Sequence, residues 1–195
     1  HEQAVTCMFV DLRDSTRLGE GKLPYDVLFV LNQFFAEMTQ ALIATRGHYA
    51  QFTGDGLMAL YGLESDDDPR RGARDAIRGA GEMLARLERL NHTLASELER
   101  PLRIGIGIHF GVAIVGAMGP PGAQMRSAIG DTINTAARLE GISKQFGVPL
   151  VLSQEVVTAA GLELPAARRE QVQVSGRSRE VTVYLLEQAP QLNAG

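Results

Sequence analysis

The sequence predicts one α+β domain in which helices flank an antiparallel sheet, in an order that resembles a split βαβ sandwich. An apolar, β-branched run over residues 4–12 predicts a buried strand. Apolar residues at three- and four-residue spacing predict long helices after Pro24 and after Pro69. Between these helices, a glycine-flanked aspartate separates the apolar runs 48–52 and 57–61, which predicts a hairpin.

The same spacing indicates where the two long helices begin and which residues face the core. The acidic run before Pro69 is typical of a helix N-terminus, and the second helix is expected to extend to Leu98. A metal-binding role for that acidic run is the alternative interpretation. The expected inward stripe of the first helix contains Val27, Leu28, Leu31, Phe34, Phe35, Met38 and Leu42.

The second half of the chain is expected to repeat this mixture of strands and helices. Residues 102–109 and 112–118 are expected to form a β pair that turns at Phe110-Gly111. A helix is expected over residues 132–146, with Ile133, Ala136, Ala137 and Ile142 turned inward. A strand at 148–152, a short helix capped by Ser153, and β runs at 170–174 and 180–187 close the chain. We therefore expect a single domain over residues 1–195, with its core at about 4–187.

Composition excludes several classes of protein. The chain has 195 residues, of which 45% are hydrophobic and 22% charged, as in an ordinary globular domain. A formal net charge of −4 provides no basic field for nucleic acid or an anionic membrane. The longest apolar runs are shorter than a bilayer span. The single cysteine, Cys7, excludes an internal disulfide and fits a reducing, cytoplasmic compartment.

Two aspartates stand where they could meet. Asp11 ends the first predicted strand, and Asp55 lies at the tip of the predicted hairpin. Each alone is more simply a polar strand end or a turn residue. If the hairpin pairs beside the first strand, both carboxylates project from one edge and repel each other unless a cation joins them. Together they suggest a two-metal phosphoryl-transfer site for Mg²⁺ or Mn²⁺.

A second candidate pair lies far away in sequence. Asn134 and Arg138 are four residues apart on a predicted helix, so they share one face. Such a pair is more often a solvated helix face than a site. Its position after Gly130-Asp131-Thr132, at a strand-to-helix corner, makes it a candidate for ligand binding.

Four motifs in order make the sequence recognisable. They are Phe9-Val10-Asp11-Leu12, Phe52-Thr53-Gly54-Asp55-Gly56, Gly107-Ile108-His109-Phe110-Gly111 and the run from Ile129 to Glu140. Together they resemble the catalytic domain of class III nucleotidyl cyclases, the bacterial adenylyl/guanylyl cyclase homology domain, over about residues 4–187. The resemblance implies a ferredoxin-like, palm-type antiparallel sheet with flanking helices.

The resemblance also implies a mechanism and an assembly. Asp11 and Asp55 match the aspartates that hold two Mg²⁺ or Mn²⁺ ions per active site, and Asn134 and Arg138 match the pair that orients the ribose and stabilises charge on the α-phosphate. Domains of this family form head-to-tail dimers, and each site takes its aspartates from one chain and its Asn/Arg pair from the other. The implied reaction converts ATP to 3′,5′-cyclic AMP and pyrophosphate. An N-terminal sensor or membrane module is expected to be missing, since the chain begins with His1.

The positions that match the family's base-reading residues depart from its common pattern. Gln51 stands where adenylyl cyclases commonly have Lys, and Ser127 where they commonly have Asp or Thr. Guanylyl cyclases commonly have Glu and Cys at these places. Because a Gln amide can present either its oxygen or its NH₂, the pair can satisfy adenine and, after an amide flip, guanine. We expect ATP as substrate with weak discrimination against GTP; Gln51 as an ordinary strand residue is the alternative.

Two further departures keep other functions open. The turn after Asp11 reads Asp14-Ser15-Thr16 where the family commonly has Gly-Phe-Thr, and Arg177 stands near the position of a phosphate-binding Lys. Arg177 is expected either to bind phosphate or to be a solvated loop cation. The alternatives are therefore a guanylyl or dual-specificity cyclase, or a nucleotide-binding regulatory domain without turnover. A diguanylate cyclase is disfavoured because its Gly-Gly-Asp/Glu-Glu-Phe signature is absent.

Overall fold

A computed structural model describes residues 1–64, 68–174 and 179–193. At residues 52 and 53 it describes the backbone but not the side chains. The first half of the chain contains β1 (Glu2–Leu12), α1 (Ser15–Leu18), α2 (Pro24–Ala44), β2 (His48–Thr53), β3 (Gly56–Tyr61) and α3 (Pro69–Thr93). The second half contains β4 (Ile104–Met118), β5 (Met125–Ile129), α4 (Asp131–Phe146), β6 (Leu150–Ser153), α5 (Gln154–Ala159), β7 (Arg168–Gln173) and β8 (Glu180–Leu186).

The strands form one sheet with β1 near its centre. The strand order is β2-β3-β1-β4-β6-β8-β7, and β5 pairs with the far end of β4. Every neighbouring pair is antiparallel except β4 with β6. The predicted α+β class and the antiparallel sheet with flanking helices are confirmed.

Helices cover both faces of the sheet because β1 alternates its side chains. Met8 and Val10 pack into the cluster that contains the apolar sides of α2 and α3. Val5 and Cys7 point to the opposite face, where α4 contributes Ala136. The strand is therefore buried on both sides, as its continuous apolar run predicts.

α2 is long and apolar enough, by length and composition alone, to cross a membrane. The side chains of Phe34, Met38 and Leu42 are at most 2% exposed, because they pack in the core. We therefore interpret α2 as a helix that packs one side in the core, although it is longer than the apolar runs on which the sequence-based expectation rested. The prediction that Leu28 faces inward was wrong, since it is 55% exposed.

β4 corrects another prediction. It is one continuous strand through Phe110 and Gly111, and the chain turns back only between Met118 and Met125. The reason is close packing of α4 on this strand. A Cβ atom at Gly107 would overlap the backbone of α4 at Leu139, 2.7 Å from its carbonyl carbon, and one at Gly111 would lie 2.5 Å from Thr132 Oγ1. These glycines allow α4 to pack closely on β4, and they do not form a turn.

The remaining boundaries follow local capping. Asp68 caps α3 by accepting a hydrogen bond from the backbone N–H of Arg70 at 3.0 Å, whereas Asp66 and Asp67 lie outside the described residues. α3 ends at Thr93, before the predicted Leu98. The predicted cap of α5 is confirmed, because Val156 N donates to Ser153 Oγ at 3.2 Å. In α4, Ala137 is exposed rather than inward.

The packing of α4 on β4 gives a stability prediction with a matched control on the same strand. Gly107→Ala forces α4 away from the sheet and should lower the free energy of unfolding by roughly 1–3 kcal/mol. Gly116→Ala adds a Cβ atom with no neighbour within 4 Å. It should change that free energy by less than about 0.5 kcal/mol. Urea unfolding at one protein concentration measures both, and equal losses would contradict the packing argument.

Candidate active site

The structure brings the two predicted aspartates together at the ends of adjacent strands. Asp11 on β1 pairs with Gly56, the first residue of β3, and Asp55 precedes that glycine. Leu12 N donates to the carbonyl oxygen of Asp55 at 3.2 Å, which fixes the hairpin tip against β1. A Cβ atom at Gly56 would overlap the backbone of Val10 and lie 3.0 Å from Asp11 Oδ1. Glycine at this position therefore permits the approach of the two carboxyl groups.

The two carboxyl groups interact as a pair. Burial raises the pKa of Asp11 to about 7, and the hydrogen bond and negative charge of Asp55 contribute to the rise. Burial acts in the same direction on Asp55, but hydrogen bonds from Ser15 and Asp11 lower the pKa of that carboxyl below its ordinary value. Without a cation, the two carboxyl groups together therefore retain a proton to a higher pH than isolated aspartates would.

This donor set fits a hard divalent cation. Both side chains offer carboxylate oxygens, which Mg²⁺ and Mn²⁺ prefer, and a cation between them would take the place of the proton. Within residues 1–64, 68–174 and 179–193, no cluster of three or more His, Cys, Asp and Glu side chains forms a metal site. Two protein carboxylates leave coordination positions for water and a phosphate-bearing ligand.

Residues 12–16 lead from the last residue of β1 into α1, and this segment is called the Asp11 turn. Asp14 has φ 53° and ψ 34°, a left-handed conformation that Asp tolerates better than most residues. Its carboxylate accepts a hydrogen bond from Arg103 Nη2 at 2.8 Å, and the hydroxyl of Ser15 donates to Asp55 Oδ2. The extra carboxylate is thus paired with Arg103, while Ser15 supports the site. Neither contact was predicted, because both partners are distant in sequence.

α4 carries Asn134 and Arg138, as predicted. Thr132 Oγ1 anchors the start of the helix by donating to the carbonyl oxygen of Val112 at 2.6 Å. Asn134 is exposed, and Arg138 Nε donates to the carbonyl oxygen of Gln173 at 3.4 Å. The Asn/Arg pair therefore lies on an accessible side of the helix, toward β7.

A cluster of ion pairs lies at the start of α4, and the sequence patterns did not predict it. Arg179 Nη1 lies 3.4 Å from Asp131 Oδ2, and its Nη2 lies 3.8 Å from Glu155 Oε1. His109 Nδ1 lies 3.8 Å from Glu155 Oε2, and burial lowers the pKa of this imidazole despite the opposing charge of Glu155. The cluster joins α4, α5, β4 and the start of β8, and no spacing in the sequence predicts it.

The opposite side of α4 contacts this chain's own Asp11 turn. Glu140 Oε1 accepts a hydrogen bond from Arg13 Nη1 at 2.7 Å. Residues 138 and 140 point about 200° apart around a helix of 3.6 residues per turn. Arg138 therefore projects away from the side of α4 that meets the Asp11 turn.

The two predicted base-reading residues lie on neighbouring strands. His48 Nε2 of β2 is 3.0 Å from the carbonyl oxygen of Arg126 on β5, so the two strands are in contact. Gln51 on β2 is exposed, whereas Ser127 on β5 is 6% exposed. The predicted phosphate ligand Arg177 lies outside the described residues.

Comparison with known proteins decides the family. The sequence model of one protein family, the adenylate and guanylate cyclase catalytic domain, matches residues 1–188 of this chain. The chain belongs to this family. Membership confirms the resemblance that the four sequence motifs indicate.

Named relatives and solved structures agree with this assignment. The chain is 32% identical to adenylate cyclase 1 of Rhizobium meliloti, covering 93% of this chain and 27% of that protein. It is 27% identical to an adenylate cyclase of Anabaena cylindrica, covering 92% of this chain and 36% of that protein. The chain therefore spans about a quarter to a third of these relatives.

Among solved structures, the guanylyl cyclase Cya2 superposes with a TM-score of 0.83 at 26% identity, over 98% of this chain and 95% of that one. The adenylyl cyclase CyaB from P. aeruginosa superposes with a TM-score of 0.80 at 22% identity, over 100% of this chain and 98% of that one, which supports the fold.

The carboxylate pair gives a binding prediction that requires no turnover. Asp11→Asn and Asp55→Asn should each weaken Mn²⁺ binding by more than about tenfold, because each removes one of two anionic ligands. Asp14→Asn is the matched control in the same turn, and it should bind Mn²⁺ like the unchanged chain since Asp14 pairs with Arg103. Electron paramagnetic resonance of free Mn²⁺ measures the affinities. A loss in Asp14→Asn equal to that in Asp55→Asn would contradict the assignment.

Proposed function

We propose that the chain is the catalytic domain of an adenylyl cyclase, which converts ATP to 3′,5′-cyclic AMP and pyrophosphate in a head-to-tail homodimer with two shared sites. The single observation that carries the proposal is the two-sided arrangement of α4. Its Glu140 side contacts the Asp11 turn of its own chain, while Arg138 projects away. A partner chain then supplies the Asn/Arg pair to the aspartates, in an isologous dimer.

The roles of the residues follow from their chemistry. Asp11 and Asp55 would hold two Mg²⁺ or Mn²⁺ ions, which would supply a lower pKa for the ribose 3′-hydroxyl and positive charge opposite the triphosphate. The Asp11 turn offers backbone N–H groups to the phosphates. Asn134 of the second chain orients the ribose by hydrogen bonding. The guanidinium of Arg138 stays charged and donates to the α-phosphate, where negative charge develops.

The covalent change takes place within one nucleotide. The ribose 3′-oxygen loses its proton and forms a bond to the α-phosphorus, while the bond from that phosphorus to the bridging oxygen breaks and pyrophosphate leaves. The protein forms no covalent intermediate in this scheme. Its residues hold the 3′-oxygen and the leaving group in line and offset the charge on the α-phosphate.

ATP is the substrate that we propose, with GTP as the alternative. Ser127 can accept from the adenine amino group, and the exposed Gln51 can donate to a ring nitrogen. The Rhizobium meliloti relative, which is 32% identical to this chain, is named adenylate cyclase 1. A rotated Gln51 amide can also meet guanine, and the similarity to the guanylyl cyclase Cya2 keeps a guanylyl or dual-specificity enzyme as the second candidate.

The wider assembly is also part of the proposal. Because the chain spans only 27% and 36% of two named relatives, we expect a sensor or membrane module elsewhere in the full-length protein. The catalytic domain itself we assign to the cytoplasm, on the basis of its nucleotide substrate and its single, unpaired cysteine. Arg177 is retained as a proposed phosphate ligand because of its charge and its place before β8.

Product analysis tests the proposal. Purified chain is incubated with ATP or GTP and with Mg²⁺ or Mn²⁺ at several protein concentrations, and cyclic nucleotides are separated by chromatography. We expect cyclic AMP to form faster than cyclic GMP, and specific activity to rise with concentration as the chain dimerises. Arg138→Ala should lower the rate by at least about 100-fold, in line with the loss of a charged group that acts on the transition state. Arg89→Ala, a change on the exposed side of α3, is the matched control.

The outcomes separate the candidate functions. Dominant cyclic GMP would overturn the assignment of Gln51 and Ser127 but leave the reaction in place. Nucleotide binding without cyclic product at any concentration would contradict turnover and favour a regulatory cyclase domain.

A further inference from the structure

The Arg13 side chain is largely buried against α4 rather than extended into solvent. It is 12% exposed, and its Nη1 donates to Glu140 Oε1 at 2.7 Å. Its Nη2 donates to the Glu140 carbonyl oxygen at 3.3 Å and to the Ser143 hydroxyl. One guanidinium therefore makes three hydrogen bonds to a single turn of α4, which a lysine ammonium cannot reproduce with the same planar geometry.

The space for this guanidinium is built into the neighbouring elements. A Cβ atom at Gly105 of β4 would overlap the Arg13 guanidinium, so that position must be glycine while Arg13 lies there. Ser143 is fully buried, and its hydroxyl also donates to the Glu140 carbonyl oxygen at 2.5 Å. On the other side, Arg13 N donates to the carbonyl oxygen of Arg103 at 2.7 Å.

The two ends of this ion pair lie next to the two halves of the proposed site. Arg13 is two residues beyond Asp11, and its Nη1 is 3.9 Å from Asp11 Oδ2. Glu140 is two residues beyond Arg138 on α4. The pair is thus a direct connection between the turn that follows Asp11 and the helix that carries the Asn/Arg pair.

We propose that Arg13 and Glu140 are a positioning pair that sets α4, and with it Asn134 and Arg138, relative to the Asp11 turn. The inference rests on the proposed function. In a head-to-tail dimer, the Asp11 turn and the α4 of one chain belong to different active sites. A change at Arg13 therefore affects the site whose aspartates lie in the partner, through the helix that this chain contributes.

A mixed dimer isolates that effect. Asp55→Ala and Arg138→Ala chains should each be inactive alone, but a dimer of one with the other would keep one intact site. That site takes its aspartates from the Arg138→Ala chain and its α4 from the Asp55→Ala chain. Arg13→Ala is then introduced only into the Asp55→Ala chain, which contributes no aspartate to the working site.

The expected result is a change in turnover rather than in binding. The rate constant kcat of the mixed dimer should fall by at least about tenfold, because a small displacement of α4 misplaces Arg138. The KM for ATP should stay within about twofold, since the aspartates and the Asp11 turn of the working site are unchanged. Arg13→Lys in the same chain should recover part of the lost kcat, since lysine keeps the positive charge but lacks the planar guanidinium.

Matched variants control for a general loss of stability. Arg86→Ala removes two ion pairs, one with Glu37 of α2 and one with Glu82 of α3, each at 3.2 Å, and should leave kcat unchanged. Glu140→Gln keeps the size of the side chain, and serves as the second variant if Arg13→Ala fails to fold. Circular dichroism and thermal unfolding check each chain, and differently tagged chains confirm subunit exchange.

Three outcomes would overturn the proposal. A loss no larger than that of Arg86→Ala would show that the pair does not position α4. A loss that occurs only when Arg13 is changed in the Arg138→Ala chain would show that Arg13 acts on its own Asp11 turn alone. If the mixed dimer with unchanged Arg13 has no activity despite confirmed subunit exchange, the active site is not shared between chains. That result would contradict the proposed function itself, and this inference would fail with it.

Discussion

Two carboxyl groups at the adjacent ends of β1 and β3 repel each other when both are ionised, unless a cation lies between them. Burial and the neighbouring Asp55 raise the pKa of Asp11 to about 7, and Gly56 allows the approach that creates this repulsion. The surrounding structure is arranged to hold the pair. The hairpin tip bonds to Leu12, and Ser15 bonds to Asp55. The buried, double-sided β1 provides a rigid base for both, as expected of a site in which position matters more than adaptability.

The close packing of α4 on β4 gives this helix two different sides. The glycines of β4 let the helix pack directly on the sheet, and this brings Glu140 within reach of Arg13. Because the helix surface turns about 100° per residue, a helix fixed in that way directs Arg138 to the other side. In the head-to-tail dimer that we propose, each protomer would carry two complementary half-sites that do not face each other. Dimerisation would then be a condition of activity, and regulation could act on the geometry between protomers.

Much of this arrangement could be predicted from the sequence. Continuous apolar runs, the Gly-Asp-Gly turn and the Ser153 cap are local signals, and they correctly located most strands and helices. The position of Asp11 and Asp55 followed from one assumption about strand pairing. The predicted turn at Phe110-Gly111 was wrong because glycine is typical both of turns and of strand positions on which a helix packs closely. Only the tertiary structure shows which of the two applies. The contacts of Arg13, Asp14 and Arg179 could not be predicted, since each joins residues at least 24 apart in sequence. Arg177 lies outside the described residues, so its role stays a prediction.

The most direct test of the shared site is a structure of the dimer with Mn²⁺ and a non-hydrolysable ATP analogue, in which the origin of each ligand can be read. We predict that Asp11 and Asp55 of one protomer contact the metal and that Arg138 of the other protomer donates to the α-phosphate at about 2.7–3.0 Å. An Arg138 guanidinium at the α-phosphate that belongs to the same chain as the metal-binding aspartates would contradict the account. So would a catalytically competent complex in which α4 of neither chain reaches the nucleotide.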